Sequence, residues 1–330
     1  MGRRPVKRRL LSVVVPIYFE ELLIGELYRR LKGSMEELAS RYEYELVFVN
    51  DGSTDGSLGL LRDLALEDAC VRVVDLSRNF GHQLAITAGT DLACGDAVVV
   101  IDGDLQDPPE VIAQMVEKWE EGYDVVYGTR IARDGESRFK LATAKLFYRT
   151  LNRLSDLDLP LDTGDFRLMD RAVVDQLVQM REESRYIRGM VTWLGFRQCA
   201  LPYRRDVRYA GYTKYTLGKM VKLALAGITS FSSKPLALAM YFGLFVALAA
   251  FVYLVWVIIT TLTMPETIVP GYASLMVVVL FLGGVQLMSV GILGDYIGRI
   301  FYEGKRRPLY VVKERYGFGA DSPGEGECGR

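Results

Sequence analysis

The chain has 330 residues, room for one large domain or two ordinary ones, and half of them are hydrophobic; its mean hydropathy of +0.14 is rich for a wholly soluble protein. Forty basic side chains against forty-one acidic ones give a formal net charge of −1, which leaves no global positive field to hold a nucleic acid. One histidine, His82, and four scattered cysteines with no CxxC pair argue against zinc sites and a disulfide framework, suit a reducing compartment, and leave any Ser-His-Asp chemistry to His82 alone.

At the start of the chain, the basic arm Arg3-Arg4 and Lys7-Arg8-Arg9 ahead of the apolar run 10–15 imitates a signal peptide. Pro16 and the acidic pair Glu20-Glu21 interrupt the run and no small-residue cleavage site follows, so a first strand is expected there. The arm is open to two readings, a contact with anionic lipid or a solvated tail. Short β-branched runs then recur at 12–17, 45–50, 71–76, 97–101 and 124–127, separated by segments of helical period such as 22–39 and 110–121. This alternation predicts an α/β domain with a mostly parallel sheet covered by helices.

Ligands of such sheets collect beyond the carboxyl ends of the strands, where Tyr18, Glu20, Asp51, Arg78, Asp102 and Asp104 fall. A dinucleotide site is disfavoured, because Pro16-Ile17-Tyr18-Phe19-Glu20 stands where a GxGxxG turn would follow the first strand. Residues 50–56 read as a tight turn into a helix, capped by Ser53, Thr54 or Asp55. A turn carboxylate such as Asp51 is expected to be dispensable to the core. The strand 97–101 runs into Asp102-Gly103-Asp104-Leu105-Gln106-Asp107-Pro108-Pro109, a pair of alternating carboxylates followed by a proline-opened helix. Hard oxygen ligands at a strand end suit Mg2+ or Mn2+, a cation that binds one or two carboxylates together with a substrate diphosphate.

Further along, residues 217–231 carry an apolar face (Leu217, Met220, Val221, Ala224, Leu225, Ile228) with Lys219 and Lys222 off it, which reads as an interfacial helix or as packing beneath the preceding domain. Residues 235–265 contain no charge, more than the roughly 20 positions that cross a bilayer, and a second uncharged run is densest at 272–293. Two spans in a hairpin are expected. Seven Lys and Arg residues lie between Arg204 and Lys234, and Arg299, Lys305, Arg306 and Arg307 follow the second run, whereas the connecting loop has neither. By the positive-inside rule both flanks are cytoplasmic. The expected organisation is a catalytic domain over 1–210, juxtamembrane helices over 211–234, two transmembrane helices within 235–298 (about 236–262 and 272–293) and a tail over 299–330, in an integral inner-membrane protein with both termini cytoplasmic.

Taken together, Val15-Pro16-Ile17-Tyr18-Phe19-Glu20-Glu21, Asp51-Gly52-Ser53-Thr54-Asp55, Arg78-Asn79-Phe80-Gly81-His82, Asp102-Gly103-Asp104-Leu105-Gln106-Asp107, Gly128-Thr129-Arg130 and Asp162-Thr163-Gly164-Asp165-Phe166-Arg167 resemble the family 2 glycosyltransferases of GT-A fold. The likeness is to their polyprenyl-phosphate sugar transferases, the dolichol-phosphate mannose synthase and bactoprenol glucosyltransferase group, and covers nearly the whole chain. It implies that Pro16, Tyr18, Glu20, Asp51, Arg78 and Asp102 line the donor pocket, with Asp51 accepting from the uracil N3–H. Asp104 and Gln106, beside Asp102, match the ligands of Mg2+ or Mn2+. Arg130, Arg138, Lys140 and Lys214 are implied to meet the acceptor phosphate, a task suited to cations. Asp162 or Asp165 matches the acidic position at the reacting sugar, and Asp104 joins them as catalytic.

The implied reaction is inverting transfer of a hexose, glucose from UDP-glucose, to polyprenyl (undecaprenyl) phosphate. The partners are therefore a nucleotide sugar, a lipid phosphate and the membrane; a homo-oligomer stays open, as do GDP-mannose as the donor and a catalytically silent nucleotide-binding scaffold. Asn50 stands where relatives commonly carry a second Asp, and no QxxRW follows, which disfavours the processive branch. His82 is either a donor-phosphate contact or a helix-start side chain.

Overall fold

The computed structural model describes residues 8–131, 163–183, 185–205, 234–263 and 271–318, in two compact units. The first holds an eight-stranded mixed sheet of order β7-β5-β6-β4-β1-β2-β3-β8. Its strands are β1 (Arg9–Ile17), β2 (Tyr42–Asn50), β3 (Val71–Leu76), β4 (Ala97–Val100), β5 (Val125–Arg130), β6 (Thr163–Asp170), β7 (Gln198–Tyr203) and β8 (Val312–Tyr316). The helices are α1 (Ile24–Leu38), α2 (Ser57–Glu67), α3 (His82–Leu92), α4 (Val111–Glu120), α5 (Arg171–Gln179) and α6 (Ile187–Trp193).

The centre of the sheet follows from the five β-branched runs. Leu11 to Ile17 of β1 are buried without exception, as a strand covered on both faces must be, and β1 pairs in parallel with β2 and β4. Two strands run the other way: β6 lies antiparallel between β4 and β5, and β8 antiparallel on the outer edge of β3. The expected α/β architecture with a mostly parallel core is therefore present, and the tail contributes β8 to that sheet rather than standing apart from it.

Helix α1 shows what stabilises the layers. Its N-cap, Leu23, makes no side-chain capping bond, yet Ile24, Leu27, Leu31, Met35 and Leu38 fall on one buried stripe. Burying each such side chain contributes about 1.5–3 kcal/mol, so the stripe outweighs the ~1 kcal/mol of a missing cap several times over. Together with α4, whose Ile112, Met115 and Val116 are buried, α1 encloses the main apolar core around Phe48, Val99 and Phe166.

The second unit contains α7 (Lys234–Thr263, 30 residues) and α8 (Tyr272–Gly304, 33 residues), which pack on one another. Among the described residues, one stretch, Phe281–Gly304, is long and apolar enough to cross a membrane, and Ala239–Tyr253 of α7 is a shorter apolar segment. That stretch overlaps the expected second span at 272–293, and the first expected span does not meet the same measure over the described residues. Many of the large side chains of these helices, including Phe242, Phe245, Phe251, Trp256, Phe281 and Leu287, are exposed. An exposed apolar surface of that extent needs cover by lipid or by protein. The expected interfacial helix lies outside the described residues.

Candidate active site

The carboxyl ends of β1, β2 and β4 carry the loops that build the cleft. The β1–α1 and β2–α2 loops are stitched together: Phe19 N–H donates to Ser53 Oγ (3.2 Å), Glu20 N–H to Ser57 Oγ (3.2 Å), and Gly56 N–H to Glu21 Oε2 (2.9 Å). The expected cap of α2 by Ser53, Thr54 or Asp55 is corrected: the N-cap is Gly56, which has no side chain to cap with, and Asp55 just ahead of it accepts from Ser57 N–H at 3.2 Å. Pro16 is buried at the end of β1, while Tyr18 beyond it is 40% exposed with its ring edge-on to Phe19, 4.4 Å between centroids.

Asp51 is more deeply built in than its sequence suggests. It is buried, its Oδ1 accepts from Phe80 N–H (2.7 Å), and its Oδ2 accepts from Gly81 N–H (3.0 Å) and Asn79 Nδ2 (3.0 Å). Burial raises its pKa and those backbone bonds pull it back. The expectation that this carboxylate is dispensable to the fold is corrected: it holds the loop that carries Arg78. Gly52 beside it has φ +67°, and a Cβ there would lie 2.5 Å from the backbone of Arg78 and Asn79, so the two loops meet only because residue 52 has no side chain. Arg78 itself is exposed, its guanidinium over the Phe80 ring at 4.1 Å.

Beyond β4, His82 at the start of α3 sits between Asp102 and Asp165 of β6. His82 Nε2 is 3.3 Å from Asp102 Oδ1 and 3.1 Å from Asp165 Oδ2. Burial pushes the Asp102 carboxyl up to about 6; the His82 charge opposes this and the neighbouring carboxylates of Asp165, Asp107 and Asp104 add to it. For Asp165 burial works in the same direction, but the His82 hydrogen bond and the charge of Arg188, whose Nε is 3.1 Å away, outweigh it and hold the group ionised well below the usual carboxylate range. Gln83 Nε2 also donates to Asp165 (3.0 Å), while its Oε1 accepts from Ile187 N–H at the start of α6 (3.0 Å). Burial pushes Arg167 of β6 down to about 10, which leaves it charged at neutral pH.

A second cluster continues from the same loop. Tyr203 at the end of β7 donates to Asp107 Oδ1 (2.5 Å), Arg205 Nε lies 3.3 Å from that oxygen, and Arg205 Nη2 is 3.9 Å from Asp104 Oδ2. Arg130 lies at the end of β5, where burial works against its charge and the Tyr203 hydroxyl and the charge of Asp107 outweigh it and raise its pKa. Its guanidinium rests against Gly164, and its Nε is buried with no hydrogen bond among the described residues. Gln106 N–H donates to Asp104 Oδ1 at 3.1 Å.

Buried carboxylate oxygens without hydrogen bonds, Asp102 Oδ1 and Asp107 Oδ2, fit a hard cation, as does the all-oxygen donor set of Asp102, Asp104 and Gln106. A further arrangement is geometrically open to a metal: one ligand atom each from His82, Asp102 and Asp165, all within 4.8 Å of one another.

The sequence-expected residues Pro16, Tyr18, Glu20, Asp51, Arg78, Asp102, Asp104, Gln106, Arg130 and Asp165 all lie at or just beyond strand ends of the first unit. Asp162, Arg138, Lys140 and Lys214 lie outside the described residues. Of the two readings of His82, the structure shows the helix-start one: His82 opens α3, and its ring lies between the carboxylates of Asp102 and Asp165. Sequence reasoning missed Arg188, Arg205, Tyr203 and Gln83. The one local signal was Gln83 following His82 directly; the other three are marked by nothing but their position next to later strands and helices.

The model of the family described as glycosyl transferase family 2 matches residues 12–178, and that of the GtrB C-terminal hairpin matches residues 234–300. A Bacillus subtilis protein named uncharacterized glycosyltransferase YkcC is 53% identical over 306 residues, covering 93% of this chain and 94% of its own. The bactoprenol glucosyl transferase of Shigella phage SfV is 45% identical over 303 residues, 92% of this chain and 98% of its own. A prophage bactoprenol glucosyl transferase homolog of Escherichia coli K12 is 44% identical over the same shares. The carboxylates at the strand ends and a likeness that runs through both units meet the expectation raised by the motifs: this chain belongs to glycosyl transferase family 2 and is a glycosyltransferase.

Proposed function

We propose that the chain transfers glucose from UDP-glucose to a polyprenyl phosphate, undecaprenyl phosphate in a bacterial membrane, with inversion at the anomeric carbon and release of UDP. The observation that carries this reading is the match at 44–45% identity to bactoprenol glucosyl transferases over 98% of their length, hairpin included. An oxygen of the acceptor phosphate forms the new bond to the anomeric carbon, and the bond to the UDP oxygen breaks with its electron pair leaving on the diphosphate. The acceptor is already anionic at pH 7, so no base is required to activate it, and positioning with charge neutralisation dominates.

In this reading Pro16, Tyr18, Glu20, Asp51 and Arg78 bind the nucleotide, and Asp102, Asp104 and Gln106 hold Mg2+ or Mn2+. The cation, when bound, neutralises charge on the departing diphosphate. Arg130, Arg138, Lys140 and Lys214 receive the acceptor phosphate. Asp165 is held on both oxygens by His82, Gln83 and Arg188, which favours Asp162 as the carboxylate at the reacting sugar and gives Asp165 the task of fixing the cleft wall.

The organisation that goes with this activity is a cytoplasmic catalytic domain over 1–210, interfacial helices over 211–234, two spans within 235–298 and a cytoplasmic return over 299–330. The lengths of α7 and α8 support it, 30 and 33 residues, or about 45 and 50 Å at ~1.5 Å per residue. Purified full-length protein given radiolabelled UDP-glucose, undecaprenyl phosphate and Mg2+ or Mn2+ is expected to yield a labelled lipid. No transfer to the lipid from any of a panel of nucleotide sugars overturns the reading; transfer from another donor alone corrects the sugar.

A further inference from the structure

Leu105, inside the acidic loop after β4, has φ +58°. The left-handed region crowds a Cβ against the backbone, and the residues that visit it are glycine, or asparagine and aspartate with a local hydrogen bond to compensate. A leucine has no such compensation. Its side chain is instead 3% exposed and belongs to the main apolar core. A leucine that only filled the core would take an ordinary backbone conformation, so the burial is being spent on holding this one.

The loop around Leu105 is fixed at three points. On one side is Gly103, where a Cβ would come within 2.8 Å of Ile17 Cδ1 and 3.0 Å of Pro16 O, so the chain lies directly against the end of β1. On the other side Asp107 is held by Tyr203 and Arg205. In the middle, Gln106 N–H donates to Asp104 Oδ1 across Leu105, so the carboxylate of Asp104 is itself part of the turn that the left-handed residue makes. Because that hydrogen bond spans Leu105, the backbone at Leu105 and the aim of the Asp104 carboxylate are coupled.

We propose that Leu105 is a positioning residue: its buried side chain locks a strained left-handed turn, and the turn fixes Asp104 and Gln106 toward the donor diphosphate and its cation. The inference rests on the reading of Asp104 and Gln106 as cation-holding residues. Backbone strain persists only where the surroundings over-determine it, and here they do so next to the carboxylate the reaction needs.

The test compares full-length Leu105→Met, Leu105→Ala and Leu105→Gly in detergent, by calorimetric UDP binding with and without Mn2+ and by thermal unfolding. Methionine refills the core and is expected to keep Mn2+-dependent UDP affinity within about twofold of the wild type. Alanine keeps the Cβ strain but loses the anchor, and is expected to lose affinity by about tenfold or more, the scale of one left-handed residue's strain. Glycine also loses the anchor but accepts the left-handed φ freely, so it is expected to bind better than alanine and to unfold at a higher temperature. A residue that merely fills space gives the opposite order. An alanine variant that fails to fold beside a folded glycine variant supports the proposal. A glycine variant weaker or less stable than the alanine one overturns it, as does Mn2+-dependent binding that survives in Leu105→Ala within twofold. Wild-type UDP binding indifferent to Mn2+ overturns the cation reading of Asp104 and Gln106 and takes the proposal with it.

Discussion

Asn50 Nδ2 donates to Asp75 Oδ1 at 2.7 Å, in a buried pair that joins β2 to β3 directly behind Asp51. The amide does two things a carboxylate cannot do together, since its Oδ1 also accepts from Ser53 N–H at 3.3 Å. Asn50→Asp is expected to place two buried carboxylates in contact and to destabilise the domain by about 1–3 kcal/mol at neutral pH. Like-charge contact raises the folded-state pKa of the pair, so the loss is present at high pH and recedes as the pH falls and the pair takes up a proton. Thermal unfolding of both proteins between pH 7 and 5 checks this; a deficit that does not shrink on acidification contradicts it.

Asp51→Ala is expected to weaken UDP binding and stability together, because Phe80 N–H, Gly81 N–H and Asn79 Nδ2 all lose their acceptor. Leaving such donors unpaired costs about 1–3 kcal/mol. A lower unfolding midpoint alongside reduced calorimetric affinity is the predicted result, and an unchanged midpoint would show that the loop carrying Arg78 is held by other contacts.

Asp104→Ala, and to a lesser degree Gln106→Ala, is expected to abolish metal-dependent transfer with little change in folding, since Asp104 is only partly buried. Titrating Mg2+ and Mn2+ against initial rate separates a ligand from a bystander. Full wild-type rates in EDTA would remove the cation from the reaction.

For the acceptor, Arg138→Ala is expected to raise the KM for polyprenyl phosphate or lower kcat, and to leave UDP affinity nearly intact. Loss of UDP binding with normal lipid kinetics assigns this arginine to the donor instead.

Tyr310 donates to Asp91 Oδ2 at 2.8 Å, and Arg181 Nη1 lies 2.6 Å from the same oxygen, just ahead of β8. Tyr310→Phe is expected to cost about 1 kcal/mol and to make residues 308–318 more susceptible to limited proteolysis. Equal digestion rates for the two proteins would show that β8 docks without that hydrogen bond.

The parts of this fold that are legible in the sequence are those with one strong local signal. Strands β1 to β5 show themselves because a strand covered on both faces must be a run of β-branched residues, and the long apolar helices show themselves by length. Strand β6 hides because Arg167 sits in its buried middle, its charge satisfied by the Gly164 and Asp165 carbonyls, which no periodicity announces. Strand β7 is masked by Pro202, tolerable because β7 is an edge, and β8 by Lys313, Glu314 and Arg315, the charges expected on an exposed edge. In the cleft the carboxylates were legible because strand-end loops concentrate them. Their partners Arg188, Arg205 and Tyr203 were not, because an ion pair made across the fold leaves no pattern in the chain around either member.

The placement of β8 has a consequence for how the protein is made. Among the described residues, the outer edge of β3 is paired with residues 312–316, and those follow both long helices in the chain. At ~5–20 residues per second of synthesis, the interval from the start of α7 to the end of β8 is on the order of ten seconds. For that time the nascent sheet presents an unpaired strand, the kind of edge that recruits another chain. The last strand is thus a seal applied after the apolar helices have left the ribosome, and a nascent chain stalled within those helices carries the strand-end carboxylates on a sheet that is still open.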